Sequence, residues 1–152
     1  MGNKFVVYFA ELQDINPWMN MIGIVKDEFP GLETTEQLNS YKQTVIKNIN
    51  RKTALCIKSE DGIIGALIFS YNLRCLSWMA VHPNHRREGI ASALVRKMLE
   101  LFPTDVDISV TTFREGDTKG IAPRRLYNKF GFVEDALVEE FDYPNQILIL
   151  KR

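Results

Sequence analysis

Cysteine and histidine are both scarce in this chain of 152 residues, with two of each. Cys56 and Cys75 stand far apart, form no C-x-x-C pair and sit in apolar, strand-like runs. They read as small buried hydrophobes rather than as a disulfide or a metal site. His82 and His85 bring no clustered ligands with them, so no metal centre is expected. An excess of one charge is missing too: Lys+Arg and Asp+Glu number 19 each, so no overall field argues for nucleic acid or an anionic membrane. A long hydrophobic run is absent at the start, where Lys4 precedes the apolar stretch Phe5 to Ala10 and Glu11 closes it. That is too short and too poorly flanked for a signal peptide or a span. Gly2 follows Met1, but Val6 stands where a myristoylation signal wants Ser or Thr. The expected location is cytoplasmic. Repeats, low-complexity tracts and Pro/Gly/Ser-rich linkers are lacking as well. A composition 45% hydrophobic and 25% charged therefore points to one soluble domain over residues 1–152.

What the chain does have is a strand, a polar loop and a helix in immediate succession. Arg74 to Val81 is apolar at Leu76, Trp78, Met79, Ala80 and Val81, as a buried strand would be. Pro83 ends it, because proline has no N–H for a ladder. After Gly89, apolar residues recur at Ile90, Ala93, Leu94, Met98 and Leu101, which is helical spacing. A loop that opens a helix beside a strand end offers free backbone N–H groups and the positive end of the helix dipole. That combination suits a phosphate or pyrophosphate. Gly89 keeps a Cβ out of the anion's way, Ala91 is the next smallest choice, and Arg86 and Arg87 add positive charge. The plain alternative is an ordinary strand-to-helix turn.

Around this unit the elements follow in a clear order. Phe5 to Ala10 is expected as a first strand. Asn16-Pro17 reads as an N-cap with proline at the first helical position, and Trp18, Met21, Ile22, Val25 and Phe29 give that helix an apolar stripe until Pro30-Gly31. Thr34 with Gln37 reads as a capping box for a second helix, striped by Leu38, Tyr41, Val45, Ile46 and Ile49. The two helices are placed to roof an acceptor site, although for most of their apolar side chains packing on a sheet is account enough. Thr53 to Lys58 and Gly62 to Tyr71 read as a hairpin joined through Asp61-Gly62. Beyond the central helix, which Pro103 ends, Asp105 to Phe113 is a strand and Arg114 to Gly120 a charged loop. Ala122 to Phe130 is a helix closed by Gly131. Phe132 to Phe141 and Gln146 to Lys151 read as last strands about a turn at Asp142-Tyr143-Pro144-Asn145.

The spacing Arg86-x-x-Gly89-x-Ala91, between an apolar strand ending in Val-x-Pro and an amphipathic helix, resembles the acyl-CoA pyrophosphate loop of the GNAT family of N-acetyltransferases. Ala122 to Phe132, with the pattern Ala-x-x-x-Leu-Tyr-x-Lys-x-Gly-Phe, is similar to the second signature of the same family. The two occur in the family's order with one strand between them. The resemblance covers Cys75 to Phe132, and the flanks follow it by order of elements. One departure stands out: many members carry an Asn near the end of the intervening strand, where this chain reads Thr111-Thr112-Phe113.

The resemblance implies a single-domain α/β (α+β) fold, a mixed and mostly antiparallel sheet of about seven strands with helices on both faces. It implies an acyl-CoA-dependent N-acetyltransferase that moves an acetyl group from acetyl-CoA to a primary amine by direct attack in a ternary complex. Cofactor binding then falls to Met79, Ala80 and Val81 on the strand, to Arg86, Arg87, Glu88, Gly89, Ile90, Ala91 and Ser92 at the loop and helix start, and to Asn128 and Lys129 in the second signature. The pantetheine would lie along the strand like an added strand. A backbone N–H near Met79 or Ala80 would meet the thioester oxygen as it gains charge. Tyr127 resembles the residue that serves the leaving thiolate. A thiol pKa of about 8.5 lies below a phenol pKa of about 10, so the expectation is a hydrogen bond rather than full proton transfer.

An acceptor ammonium must lose a proton. Glu139, Glu140 and Asp142 stand near the last turn and read first as solvated surface charges, while His82 and His85 sit on the cofactor side and read as solvent-exposed or phosphate neighbours rather than bases. Arg125 and Lys129 suit either a CoA phosphate or a solvated helix face. The expected partners are an amine acceptor, small molecule or peptide, and a second copy in an allowed homodimer, with neither nucleic acid nor membrane. The alternative class is a non-catalytic acyl-CoA-binding or sensing module with the same loop.

Overall fold

The computed structural model describes residues 5–60 and 62–152. Strands β1 (Tyr8–Phe9), β2 (Ala54–Ser59), β3 (Gly62–Ser70), β4 (Cys75–Val81), β5 (Ile108–Phe113), β6 (Val133–Glu140) and β7 (Tyr143–Leu150) form one sheet in the order β1-β2-β3-β4-β5-β7-β6. Only the β4–β5 pair is parallel. β3 reads Ile63 to Phe69 without a polar residue and is buried throughout that run, as a central strand covered on both faces must be. Its alternation assigns the two cores. Leu67 and Phe69 pack with α3 (Ile90–Glu100) and α4 (Ile121–Phe130), around Leu94, Met98 and Tyr127. Ala66 and Ile68 pack with α1 (Ile15–Val25) and α2 (Thr35–Arg51), around Trp18, Met21 and Val45.

Local sequence explains most element ends. At α2 the Thr34 side chain accepts from the Gln37 N–H at 3.0 Å and Gln37 Oε1 accepts from the Thr34 N–H at 3.0 Å, the reciprocal capping box expected there. Gly131 takes φ 98° and caps α4. Three expectations give way. The first strand pairs over Tyr8–Phe9 alone. α1 starts at Ile15 with Asp14 as its N-cap, because a single 3-10 turn at Leu12–Asp14 runs straight into it. Pro17 therefore sits third in the helix, where the missing N–H is still one of the unpaired first-turn donors. The last hairpin turns at Phe141-Asp142, at φ 53° and 59°, and Pro144 lies in β7 opposite Glu139. Two successive positive φ values make the tight turn that suits strand twist, and the sequence there carries no glycine to announce it. The β2–β3 hairpin forms with Ser59 opposite Gly62, while Asp61 lies outside the described residues. Cys56 is fully buried and its thiol is pushed up to about 12, chiefly by burial, which leaves it unreactive. Cys75 is half-buried, and neither cysteine forms a disulfide.

The helix that follows β4 is seated by a missing side chain. A Cβ at Gly65 of β3 would fall inside van der Waals contact of Ile90 Cγ2 and 3.3 Å from Leu94 Cδ1. α3 thus packs directly on the β3 backbone at its first turn. Gly65→Ala should lower unfolding stability by about 1–3 kcal/mol through overpacking, read as a reduced urea midpoint with an unchanged slope. A midpoint equal to that of the parent would show that α3 does not depend on this contact.

Candidate active site

β4 and β5 pair only at Cys75–Ser109 and Leu76–Val110. The reason lies on the other edge of β4. Trp78 stands opposite Ile68 and Leu76 opposite Phe69, which leaves Ser77 as an extra residue. Such a bulge bends its strand and sharpens the twist, so β4 leaves β5 from Ser77 onward while Thr111, Thr112 and Phe113 stay paired with β7. The parting opens a cleft of about 1040 Å³. Its walls include Trp78 and Met79 of β4, Thr111 to Phe113 of β5, Tyr41 of α2 and Tyr127 of α4.

The free edge of β4 has a defined polarity. The His82 N–H donates to the Ile64 carbonyl at 2.8 Å. In an antiparallel ladder the hydrogen-bonding residues alternate, so Ala80, opposite Ala66, also turns its peptide groups toward β3. Met79 and Val81 turn theirs to the open side. The Val81 carbonyl confirms the phase by accepting from Arg86 Nη2 at 3.2 Å. Of the two residues expected to offer an N–H to a bound acyl group, Met79 can do so and Ala80 cannot.

Beyond β4 the chain makes a 3-10 turn at Pro83–His85 and reaches α3 through Arg87 at φ 65° and Gly89 at φ 91°. Gly89 is the N-cap, and nothing lies within 4 Å of where its Cβ would be. The first turn of α3 carries no side-chain cap hydrogen bond from its N-cap residue, and a helix start leaves its first N–H groups without partners inside the helix. Arg86 is turned elsewhere: its Nη2 meets both carboxylate oxygens of Glu28, at 2.7 and 2.9 Å. Among the described residues Arg87 and its backbone bend leave a cation at the loop with no ion-pair partner. His82 accepts from the Asn84 N–H, and His85 lies 3.5 Å from Glu88.

Tyr127 is 4% exposed and packs on Phe132 at a ring distance of 5.6 Å. It lines the cleft, and among the described residues its hydroxyl has no protein hydrogen bond. Burial holds its pKa well above the ordinary phenol value, so it is a donor and not an anion.

With this geometry in place, one comparison decides the family. The model of the acetyltransferase (GNAT) domain matches residues 50–134, more than half of the chain. The chain belongs to the GNAT acetyltransferase family. No curated protein matches the sequence. Solved structures with the same fold include a GNAT-family acetyltransferase from Bacillus cereus, 24% identical over 99% of both chains with a TM-score of 0.69. The PaiA N-acetyltransferase from Thermoplasma acidophilum, solved in complex with coenzyme A, is 14% identical over 99% of this chain and 100% of its own, with a TM-score of 0.74. The microcin C7 self-immunity acetyltransferase MccE, in complex with acetyl-CoA and AMP, is 14% identical over 99% of this chain and 94% of its own, with a TM-score of 0.70.

In this GNAT domain the residues singled out from sequence divide into groups. Met79, Arg86 and Tyr127 line the cleft. Arg87, Glu88 and Gly89 are exposed at its cofactor-side loop, and Ala91 and Ser92 are half-buried in the first turn of α3. Ile90 is 1% exposed and belongs to the core, so only its backbone is offered. Asn128 is turned away, in a shallow depression with Arg124, Arg125 and Glu134, because one residue of helix rotates a side chain by about 100° from Tyr127. Lys129 is exposed and outside the cleft lining. Glu140 lines the cleft; Glu139 and Asp142 do not. Among the described residues no group of His, Cys, Asp or Glu is placed to hold a metal, and no helix is long and apolar enough to cross a membrane.

Sequence reasoning put Phe29 and Tyr41 on helices expected to roof an acceptor site, and both line the cleft; it missed Glu28 and Trp78, which come from different elements and carry no motif. It also missed Arg124, which is 9% exposed. Arg124 Nη1 donates to the Phe113 carbonyl at 3.0 Å and to Gln146 Oε1 at 3.1 Å, and Nη2 meets Glu134 Oε1 at 3.0 Å. Three strands thereby fix the helix that carries Tyr127. Arg124→Met should cost at least the about 1.5–3 kcal/mol of a charge-assisted hydrogen bond, seen as a lower thermal midpoint. A midpoint unchanged in Arg124→Met would mean that packing alone holds α4.

Proposed function

We propose that this GNAT domain transfers an acetyl group from acetyl-CoA to a primary amine while both are bound. Three features carry the reading: the α3 start at Gly89, the outward-facing edge of β4 at Met79 and Val81, and Tyr127 in the cleft wall. The CoA complexes of PaiA and MccE, which share the fold, support the choice of donor. Acetyl-CoA supplies the acyl group already activated as a thioester. The N–H groups of the α3 start, around Gly89 and Ala91, hold the pyrophosphate, and the free edge of β4 receives the pantetheine as an added strand. The amine nitrogen attacks the thioester carbon. The acceptor ammonium first gives one proton to water; the C–N bond then forms, the C–S bond breaks, the second proton leaves nitrogen for water, and the negative charge ends on sulfur. The Met79 N–H stabilises the oxygen as its charge develops, and the Tyr127 hydroxyl stabilises the departing thiolate. Because burial makes Tyr127 a weaker acid than a free phenol, it acts by hydrogen bonding.

Acetyl-CoA at about 100 times its dissociation constant should stabilise the fold by about 2.7 kcal/mol. Thermal melts with and without it read this as a higher midpoint, and an unmoved midpoint at saturating ligand would remove the donor assignment. Gly89→Val should abolish most of that rise. Its left-handed φ adds about 1–2 kcal/mol of strain to the ligand-free fold as well, so the comparison is between the two ligand-induced shifts.

Tyr127→Phe keeps the ring and removes one oxygen. Turnover should fall by up to about 100-fold, the low end of acid–base contributions, while the KM for acetyl-CoA stays nearly constant. The parent should show no high-pH limb from Tyr127 below about pH 10, because its proton is held more tightly than that of a free phenol. Equal turnover in both forms would make Tyr127 a packing residue. CoA binding without CoA release, with every amine tried, would instead mark a sensing module.

A further inference from the structure

The cleft has a second side that the donor does not use. Met79 and Val81 point their side chains into the core beneath α3 and α4, on the cofactor side. Trp78 and Ala80 point to the opposite layer, beneath α1 and α2. The second layer offers an amine a way to a thioester held along β4 that is separate from the donor's side. There the wall is aromatic. The Trp78 ring lies 5.3 Å from Phe29 and 5.2 Å from Tyr41, and all three side chains are half-exposed and line the cleft. The cluster is held from behind by the fully buried Trp18, whose Nε1 donates to the Tyr41 hydroxyl at 2.9 Å. It is a rigid surface, and its flat rings favour an apolar or cationic body over a polar one.

Charge around the same cleft points the same way. Glu28, Glu36 and Glu140 line the cleft. Arg86 neutralises the first, and Glu36 and Glu140 have no ion pair among the described residues. The other cation of the lining, Lys119, stands 5.2 Å from the ring of Tyr143, beside the β5–β7 end. A Cβ on Gly31 of the α1–α2 connection would lie 2.8 Å from Cδ1 of Phe141 in the β6–β7 turn, so the Phe141 ring touches both segments at the edge of the cleft.

We propose that the acceptor is a small primary amine on an apolar, ring-sized body, seated against Phe29, Tyr41 and Trp78 with its ammonium drawn by Glu36 and Glu140. The proposal rests on the acetyltransfer reading above and deepens it.

Calorimetric titration tests it without requiring turnover. The probes are phenethylamine, ethanolamine (the same ammonium with a polar body) and hydrocinnamate (a similar ring carrying a carboxylate). Phenethylamine should bind at least about tenfold more tightly than either, a difference of about 1.4 kcal/mol. Phe29→Ser, on an exposed connection, should reduce its advantage over ethanolamine. Glu36→Gln, at an exposed position, should reduce its advantage over hydrocinnamate. Equal affinity of the three probes, or no binding of phenethylamine, overturns the proposal. If phenethylamine binds as expected but is never acetylated, the acetyltransfer reading fails and the subsite stands. If acetyl-CoA is consumed with ethanolamine as readily as with phenethylamine, the acetyltransfer stands and the subsite fails.

Discussion

One extra residue in one strand shapes everything that matters in this molecule. Ser77 has no partner across from β3, and a ladder that must absorb it bends. Had β4 stayed in register, its outer edge would have continued along β5 and the sheet would have closed. Instead two pairs join the strands, and then they part. The same bend leaves backbone groups at Met79 and Val81 unused by the sheet. Unpaired backbone donors and acceptors inside a protein are costly; Arg86 takes the Val81 carbonyl, and Met79 borders an open cleft where a ligand can satisfy its groups. The bulge thus makes both the space and the polar edge that lines it.

The sheet also divides its own two sides by its pleat. Alternate side chains of β4 enter different cores, Met79 and Val81 on the α3–α4 side and Trp78 and Ala80 on the α1–α2 side. The proposed reaction uses this division, with the donor on one side and the acceptor on the other. Arg86 links the halves, since it leaves the loop of the donor side, holds the Val81 carbonyl and reaches Glu28 beyond α1. Both partners are close to half exposed, so the pair is worth at most about 1 kcal/mol. Its consequence is geometric: it fixes the end of β4 relative to the roof. It also engages Arg86 with Glu28, so that in the proposed site the pyrophosphate would fall to backbone N–H groups, the helix dipole and Arg87.

Tyr127 shows burial and chemistry acting together. Its ring belongs to the same core as Leu94 and Met98, so its position is as fixed as that of any packed residue. The burial that fixes it also strengthens its hold on its proton. A phenol of this kind is suited to donate a hydrogen bond to a thiolate and ill suited to protonate one. The helix beneath it is tied by Arg124 to the Phe113 carbonyl, Gln146 and Glu134, which places the tyrosine relative to β5, β6 and β7 at once.

Local chemistry made much of this legible before any coordinates. The Thr34 box, the Gly131 cap, the all-apolar run of β3 and the strand–loop–helix around Gly89 depend on neighbours in sequence, and a chain of letters shows neighbours. The two spaced signatures, Arg86 to Ala91 and Ala122 to Phe132, carried the family. What depended on distant partners was hidden. The N-cap of α1 moved to Asp14, which pairs with Lys58 of β2, and the last turn moved to Phe141-Asp142, whose backbone answers to strand twist rather than to residue preference. That Met79 and not Ala80 faces the cleft edge follows from a hydrogen bond between His82 and Ile64, which sets the phase of the ladder. The acceptor wall gathers Phe29, Tyr41 and Trp78 from a loop, a helix and a strand, and no spacing encodes that meeting. Sequence by itself determined the elements and the donor loop, because caps, turns and periodicity act over a few residues. Tertiary structure decided the cleft, its polarity and its aromatic side, because those follow from register, and register is a relation between strands that only packing can set.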